Sequence, residues 1–220
     1  MRSRLFHSND YVLVQDRVRD LINRSPDSLS KNPAPSPRAA GDAIENIVAA
    51  SFEGVLGEHC GECSSNFARR AMADLAFKDR DGLYYIVDVK THRTDTKFNM
   101  PNLTSVERLA RFYEDDSNFF TVLLVSYSVE GLKANVTHVT FVPIEFLGWD
   151  CLTIGALGWG QIQIANSNRV TVNPGYARKR WMLEFCDAML EFYPKEIAKI
   201  GERVSRFERV REFWSKKSDV

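Results

Sequence analysis

The sequence predicts a single mixed α/β domain, and three observations lead there. Apolar stretches follow one another in the order helix, strand, strand, helix, strand, strand, helices, the pattern of a mixed sheet flanked by helices. Apolar residues make up 44% of the 220 and charged residues 26%, enough to bury a core and unlike a disordered chain. No run approaches the ~18 consecutive apolar residues that a membrane-spanning helix needs.

The elements are read in order. DYVLVQDRVRDLIN (10–23) is amphipathic at helical spacing, with Val12, Val14, Val18 and Leu21 assigned to the inner face. SPDSLSKNPAPSPRAAG holds four of the eight prolines and reads as an extended arm. From Gly41 to Leu56, Ile44, Ile47, Val48, Phe52 and Val55 recur as a helix stripe, with Glu45 on the first turn. ADLAF (73–77) and LYYIVDVK (83–90) are strands joined by the turn KDRDG. SVERLARFYE (105–114) is a helix, FFTVLLVSYS (119–128) a buried strand, VTHVTFVPI (136–144) another strand, and QIQIA (161–165) a short one. Beyond Gly175, apolar positions such as Trp181, Met189, Ile197, Val204 and Trp214 indicate helices, with a break or kink near Pro194. The expected division is an arm over 1–40 that could serve dimerisation, a core over 41–165 and helices over 166–220.

Net charge is zero but uneven. Residues 1–40 carry 7 Lys+Arg against 4 Asp+Glu, residues 176–220 carry 11 against 8, and the middle carries 11 against 17. Basic ends around an acidic centre suit divalent cations held centrally and phosphate held peripherally, and a solvated surface with chance asymmetry explains them equally simply. The start, MRSRLFHSND, has no apolar export core, so a cytoplasmic setting with reduced cysteines is expected. His59-Cys60-x2-Cys63 lacks the second ligand pair of a zinc site, so no zinc is expected. The glycines at 155, 158 and 160 lack the Lys-Ser/Thr of a phosphate loop.

The chemistry-bearing segment is Asp74-x13-Asp88-Val89-Lys90. On a strand Asp88 and Lys90 share one face, and a hairpin pairing would carry Asp74 beside Asp88. Two juxtaposed carboxylates repel unless a cation lies between them, and hard oxygen donors favour Mg²⁺. A lysine two residues on can act at an attacking water and at phosphate charge. A solvated ion pair on an edge strand would show the same triplet, but LYYIVDV is apolar, and a charge inside a buried strand needs a partner. His92, on the same strand face, reads as a surface histidine or a phosphate neighbour.

Asp74…Asp88-Val89-Lys90 resembles the PD-(D/E)xK nuclease signature, with Ala73 in the proline slot. RAAGDAIENIV (38–48), DVKTHRTDTKFNMPNLTSVERLA (88–110) and GWGQIQIA (158–165) resemble, in the same order, segments of HincII-like type II restriction endonucleases, with EcoRV a more distant relative. The resemblance implies a restriction-endonuclease-like core and a homodimer that clamps double-stranded DNA. It implies Mg²⁺-dependent hydrolysis of both strands of a palindromic site, leaving 5′-phosphate ends. By this resemblance Asp74, Asp88 and the Val89 carbonyl hold the metal, Lys90 stands at the water, and Thr91 meets the phosphate backbone, as Arg93 or Lys97 could by charge. Glu45 is either a supporting carboxylate or an acid that suits its helix dipole. Asn102 matches a DNA-contacting asparagine, while Asn99 stands where the pattern has glutamine, and both also suit an ordinary turn. Gly155 replaces a base-reading asparagine, so a different target sequence is expected. A repair or recombination nuclease of the same superfamily and a non-catalytic DNA-binding module are the alternatives.

Overall fold

Two stretches, YYIVDVKTHR and NFFTVLLVSYSVE, carry apolar side chains on both faces, and strands of that composition belong inside a sheet. The computed structural model describes residues 2–25, 37–63, 74–97, 99–131, 133–155 and 159–218. In it these stretches form β3 (Tyr84–Arg93) and β5 (Asn118–Glu130), paired in parallel over ten register positions. Flanking them are β1 (Glu62–Cys63), β2 (Leu75–Lys78) and β6 (Lys133–Pro143), giving a five-stranded mixed sheet ordered β1-β2-β3-β5-β6. A second sheet, ordered β4-β8-β7, joins β4 (Asn102–Ser105), β7 (Leu152–Gly155) and β8 (Gln161–Ile164). The mixed α/β class read from the sequence is the class observed.

A parallel pair needs a crossover, and α4 (Val106–Phe112) supplies it between β3 and β5, with Val106 and Leu109 buried. Ser105 caps it by accepting from the Arg108 amide. α1 (Arg4–His7), α2 (Asp10–Arg24) and α3 (Pro37–Leu56) precede the sheet. α3 begins at Pro37 rather than Gly41, because proline's fixed φ suits the first helical position. The rest of the expected arm, residues 26–36, lies outside the described residues, as does Ala73.

Tyr85 and Phe77 stack with ring centroids 4.5 Å apart, and Tyr85 stacks on Phe119 at 4.9 Å. Phe6, Phe52 and Phe141 close around them. β6 is an edge strand, and α2 covers it with amides. Asn23 donates to the Val136 carbonyl and accepts from its N–H, and Gln15 accepts from the Phe141 N–H. The inner face of α2 is Val14, Val18 and Ile22, while Val12 is exposed. The i, i+4, i+8 row won over the assignment that began at Val12.

Three further expectations are corrected. Cys60 and Cys63 are disulfide-bonded, their Cα atoms 6.1 Å apart, which the C-x-x-C spacing permits. β4 and β7 fall where loops were expected, because β8 lies between them and pairs with both. Of the break or kink expected near Pro194, the break does not occur, and α5 (Arg178–Ser215) runs through it as one 38-residue helix. Packing divides the chain into residues 1–176 and residues 177–220, and α5 belongs to the second unit. Among the described residues no helix is long and apolar enough to cross a membrane.

Gly54 sits exposed inside α3, and an added Cβ would meet nothing within 4 Å. Gly54→Ala should therefore raise unfolding free energy by about 0.5–1 kcal/mol in a denaturant titration, the helix-interior difference between the two residues.

Candidate active site

The turn Asp79–Gly82 sets the register on which the site depends. Asp79 accepts from the amides of Asp81 and Leu83, each at 2.9 Å, and Gly82 takes the left-handed φ of 80° that ends the turn. From there Lys78 pairs with Tyr84 and Leu75 with Val87, so one more step sets Asp74 opposite Asp88. Asp74 Oδ2 accepts from the Val89 N–H at 2.7 Å. An extended residue points its N–H and C=O to the same side, so the Val89 carbonyl also faces Asp74.

Asp88 is buried, 3% exposed, and it interrupts an apolar strand. Its Oδ1 accepts from Lys90 Nζ at 2.8 Å, while its Oδ2 is buried with no hydrogen-bond partner. Burial pushes the Asp88 carboxyl up to about 7, with the ammonium of Lys90 pulling back and the carboxylates of Asp74 and Glu45 adding to the rise. Glu45, on α3, is also pushed upward, first by burial and then by Asp74, with Lys90 opposing and Asp42 adding. Glu45, Asp74, Asp88, Val89 and Lys90 thus form one electrostatically coupled cluster.

Among the described residues no three His, Cys, Asp or Glu side chains are gathered into a ready cation cage. The donor chemistry nevertheless fits a hard divalent cation: two carboxylates and a main-chain carbonyl, with one carboxylate oxygen lacking any partner. A buried, unanswered carboxylate oxygen is costly unless charge is brought to it.

The remaining sequence-assigned residues lie apart from this cluster. Thr91 alternates to the other face of β3, where its Oγ1 would lie 2.7 Å from a Cβ added at Gly41 of α3. Arg93 is ion-paired to Asp95 at 2.8 Å, with its Nε buried and without a partner. Lys97 and Asn99 are exposed. Asn102, also exposed, accepts through its side-chain oxygen from the amide of Gln163 on β8. Gly155 lies against that same Gln163, whose Oε1 would be 2.5 Å from an added Cβ.

Sequence reasoning misplaced His92 and missed several of its neighbours. His92 is 2% exposed, so it is neither a surface residue nor open to phosphate. Its Nδ1 lies 2.9 Å from the Ser167 hydroxyl and its Nε2 2.6 Å from Asn168 Oδ1. Asn168 also donates to the Lys97 carbonyl, and the Ser167 amide donates to that of Asn99. This histidine therefore ties the β3–β4 connection to the segment after β8. No local pattern signals a partner 75 residues away. A cleft of about 500 Å³ lies along β4, α4 and β8, lined in part by Ser105, Arg108, Arg111, Trp159 and Gln161. Arg108 in that cleft drew no notice in the sequence, because a charge on an exposed helix face is ordinary.

No protein-family model matches the chain, and no curated protein matches it in sequence.

His92→Ala should cost about 1–3 kcal/mol in denaturant unfolding, since two polar partners lose their bond. A second expectation concerns pH. The folded Asp88 carboxyl has its proton affinity raised from an ordinary 3.8 to about 7, so its contribution to stability is complete below pH 4 and is lost as pH rises through 7. In chelator-treated buffer, Asp88→Asn should gain stability over the parent as pH rises across that window. A pH-independent difference between the two would contradict this.

Proposed function

We propose that the chain is a Mg²⁺-dependent, site-specific endonuclease of the type II restriction class, a homodimer with a PD-(D/E)xK core that cuts both strands of duplex DNA. One observation carries the reading: Asp88 is buried on an apolar strand, with Lys90 on one oxygen, none on the other, and Asp74 across the register. A surface ion pair has no reason to be buried, and a purely structural carboxylate has no reason to keep an unanswered oxygen.

Asp74, Asp88 and the Val89 carbonyl would hold the cation. When bound, it would supply positive charge at the scissile phosphate and lower the pKa of a water it holds. Lys90 donates to Asp88 at rest, and the same ammonium can turn to the attacking water or to a phosphate oxygen as negative charge grows there. The water oxygen forms the new bond to phosphorus, the bond to the 3′ oxygen breaks, and a 5′-phosphate and a 3′-hydroxyl result. Glu45 adds a third carboxylate whose coupling to Asp74 and Lys90 supports a role beside the cation rather than at the helix dipole alone. Asn99 and Asn102, with the cleft beside β4, are the candidate DNA-facing surface, and Lys97 is a candidate phosphate contact. The engagement of Asn102 by Gln163 also favours a second reading, a nuclease that reads DNA structure, because such an enzyme needs few free base-reading groups.

Incubating the chain with phage DNA and Mg²⁺ tests the proposal. Discrete bands are expected, with none in EDTA. A smear or junction-only cleavage would favour the structure-reading nuclease, and intact DNA would overturn both. Lys90→Ala should lower the cleavage rate by about two decades or more while leaving Ca²⁺-dependent DNA binding in place, and Asp88→Ala should lose both. A folded Lys90→Ala chain that cuts at the parental rate would remove this site from the mechanism.

A further inference from the structure

α5 carries two apolar stripes that face different directions. Trp181, Phe185 and Met189 form one, and all three are buried. At about 100° per residue the second is rotated around the helix from the first, and Met189 falls at its border. Its first row is Leu183, Leu190, Ile197 and Val204, spaced by seven and 57%, 74%, 68% and 52% exposed. Its second row is Tyr193, Ile200, Phe207 and Trp214, also spaced by seven and 36%, 47%, 71% and 65% exposed. The rows interleave at intervals of three and four, which is the a and d pattern of a coiled coil sustained over more than four heptads. From Leu190 to Ser218 no residue is buried. A helix of this length with an exposed apolar seam draws little stability from its own propensity, all the more with Pro194 and Gly201 inside it.

We infer that this seam is a coiled-coil surface whose occupant is α5 of a second copy of the chain. Three observations select a second copy. A strict period of seven is self-complementary, because the same row of knobs and holes serves both helices. The flanking positions carry both signs, with Arg203 at g and Glu208 at e five residues on, the offset at which a parallel partner's e residue meets a g residue. Lys195 with Glu191, Lys199 with Glu196 and Lys216 with Glu212 pair along the helix. Three aromatic side chains of ~150–250 Å² each, with the aliphatic ones between them, bring the buried surface to the order of the ~800 Å² per partner of a stable interface. Arg211, at an a position, breaks the apolar row once, as a polar residue that fixes register does. The inference names the interface of the proposed homodimer but does not depend on nuclease activity.

Sedimentation equilibrium of the full chain at micromolar concentration is the test, and it reads mass rather than cleavage. The parent should be a dimer. Ile200→Glu and Phe207→Glu should each raise the dissociation constant by 100-fold or more, while Arg209→Glu, on the outward f position, should leave it unchanged. All three sites are exposed in the single chain, and circular dichroism checks that the variants fold. A monomeric parent overturns the inference and leaves the seam to a different partner. A dimer untouched by both seam variants overturns it as well, by placing association elsewhere.

Discussion

A carboxylate buried in the middle of an apolar sheet must be answered by charge, and the residues set around Asp88 supply that answer. Lys90 reaches back along the strand to one oxygen, and the β2–β3 hairpin brings Asp74 alongside with its own oxygen fastened to the Val89 amide. Both neighbours are held by backbone geometry: two residues along a pleat in one case, one step beyond a ladder in the other. Burial is the main reason that the proton affinity of Asp88 rises, Lys90 opposes it, and the carboxylates of Asp74 and Glu45 add to it.

The residues that make the cluster were legible before any coordinates, because each step is local. Asp88 and Lys90 share a face by alternation, and a short turn between two strand patterns fixes which residue of ADLAF lands opposite. β3 and β5 were equally plain, since a run such as FFTVLLV leaves no polar face to expose. What escaped the sequence reading depends on partners far along the chain. NLTS and LTIG have no strand pattern of their own and become strands only because β8 lies between them. His92 looks like any strand-end histidine until Ser167 and Asn168 arrive 75 positions later. Pro194 signals a helix break by its missing N–H, yet the helix continues past it.

The second small sheet and the loops near it differ in kind from the cluster. Asn102, Gln163 and Gly155 meet in one exposed spot, where the absence of a side chain at 155 makes room for the glutamine that engages the asparagine. Amide groups engaged with one another in water are held by bonds of modest net strength and can exchange for other polar partners. In the carboxylate cluster, by contrast, Asp88 is buried and Asp74 is bound to a main-chain amide. Precision thus resides on the large sheet and adaptability on the small one, with His92 as the rivet between β3 and the segment that follows β8.

The capping of β6 by Asn23 and Gln15 has a consequence for how copies of this chain can meet. An open strand edge is an invitation for another molecule to extend the sheet, and here that edge has its hydrogen bonds taken up by the side chains of a helix. A strand from a second copy would have to displace Asn23 and Gln15 at Val136 and Phe141 before it could pair along β6. The long apolar strands β3 and β5 are reached only from within the sheet, each lying between two neighbours in the strand order.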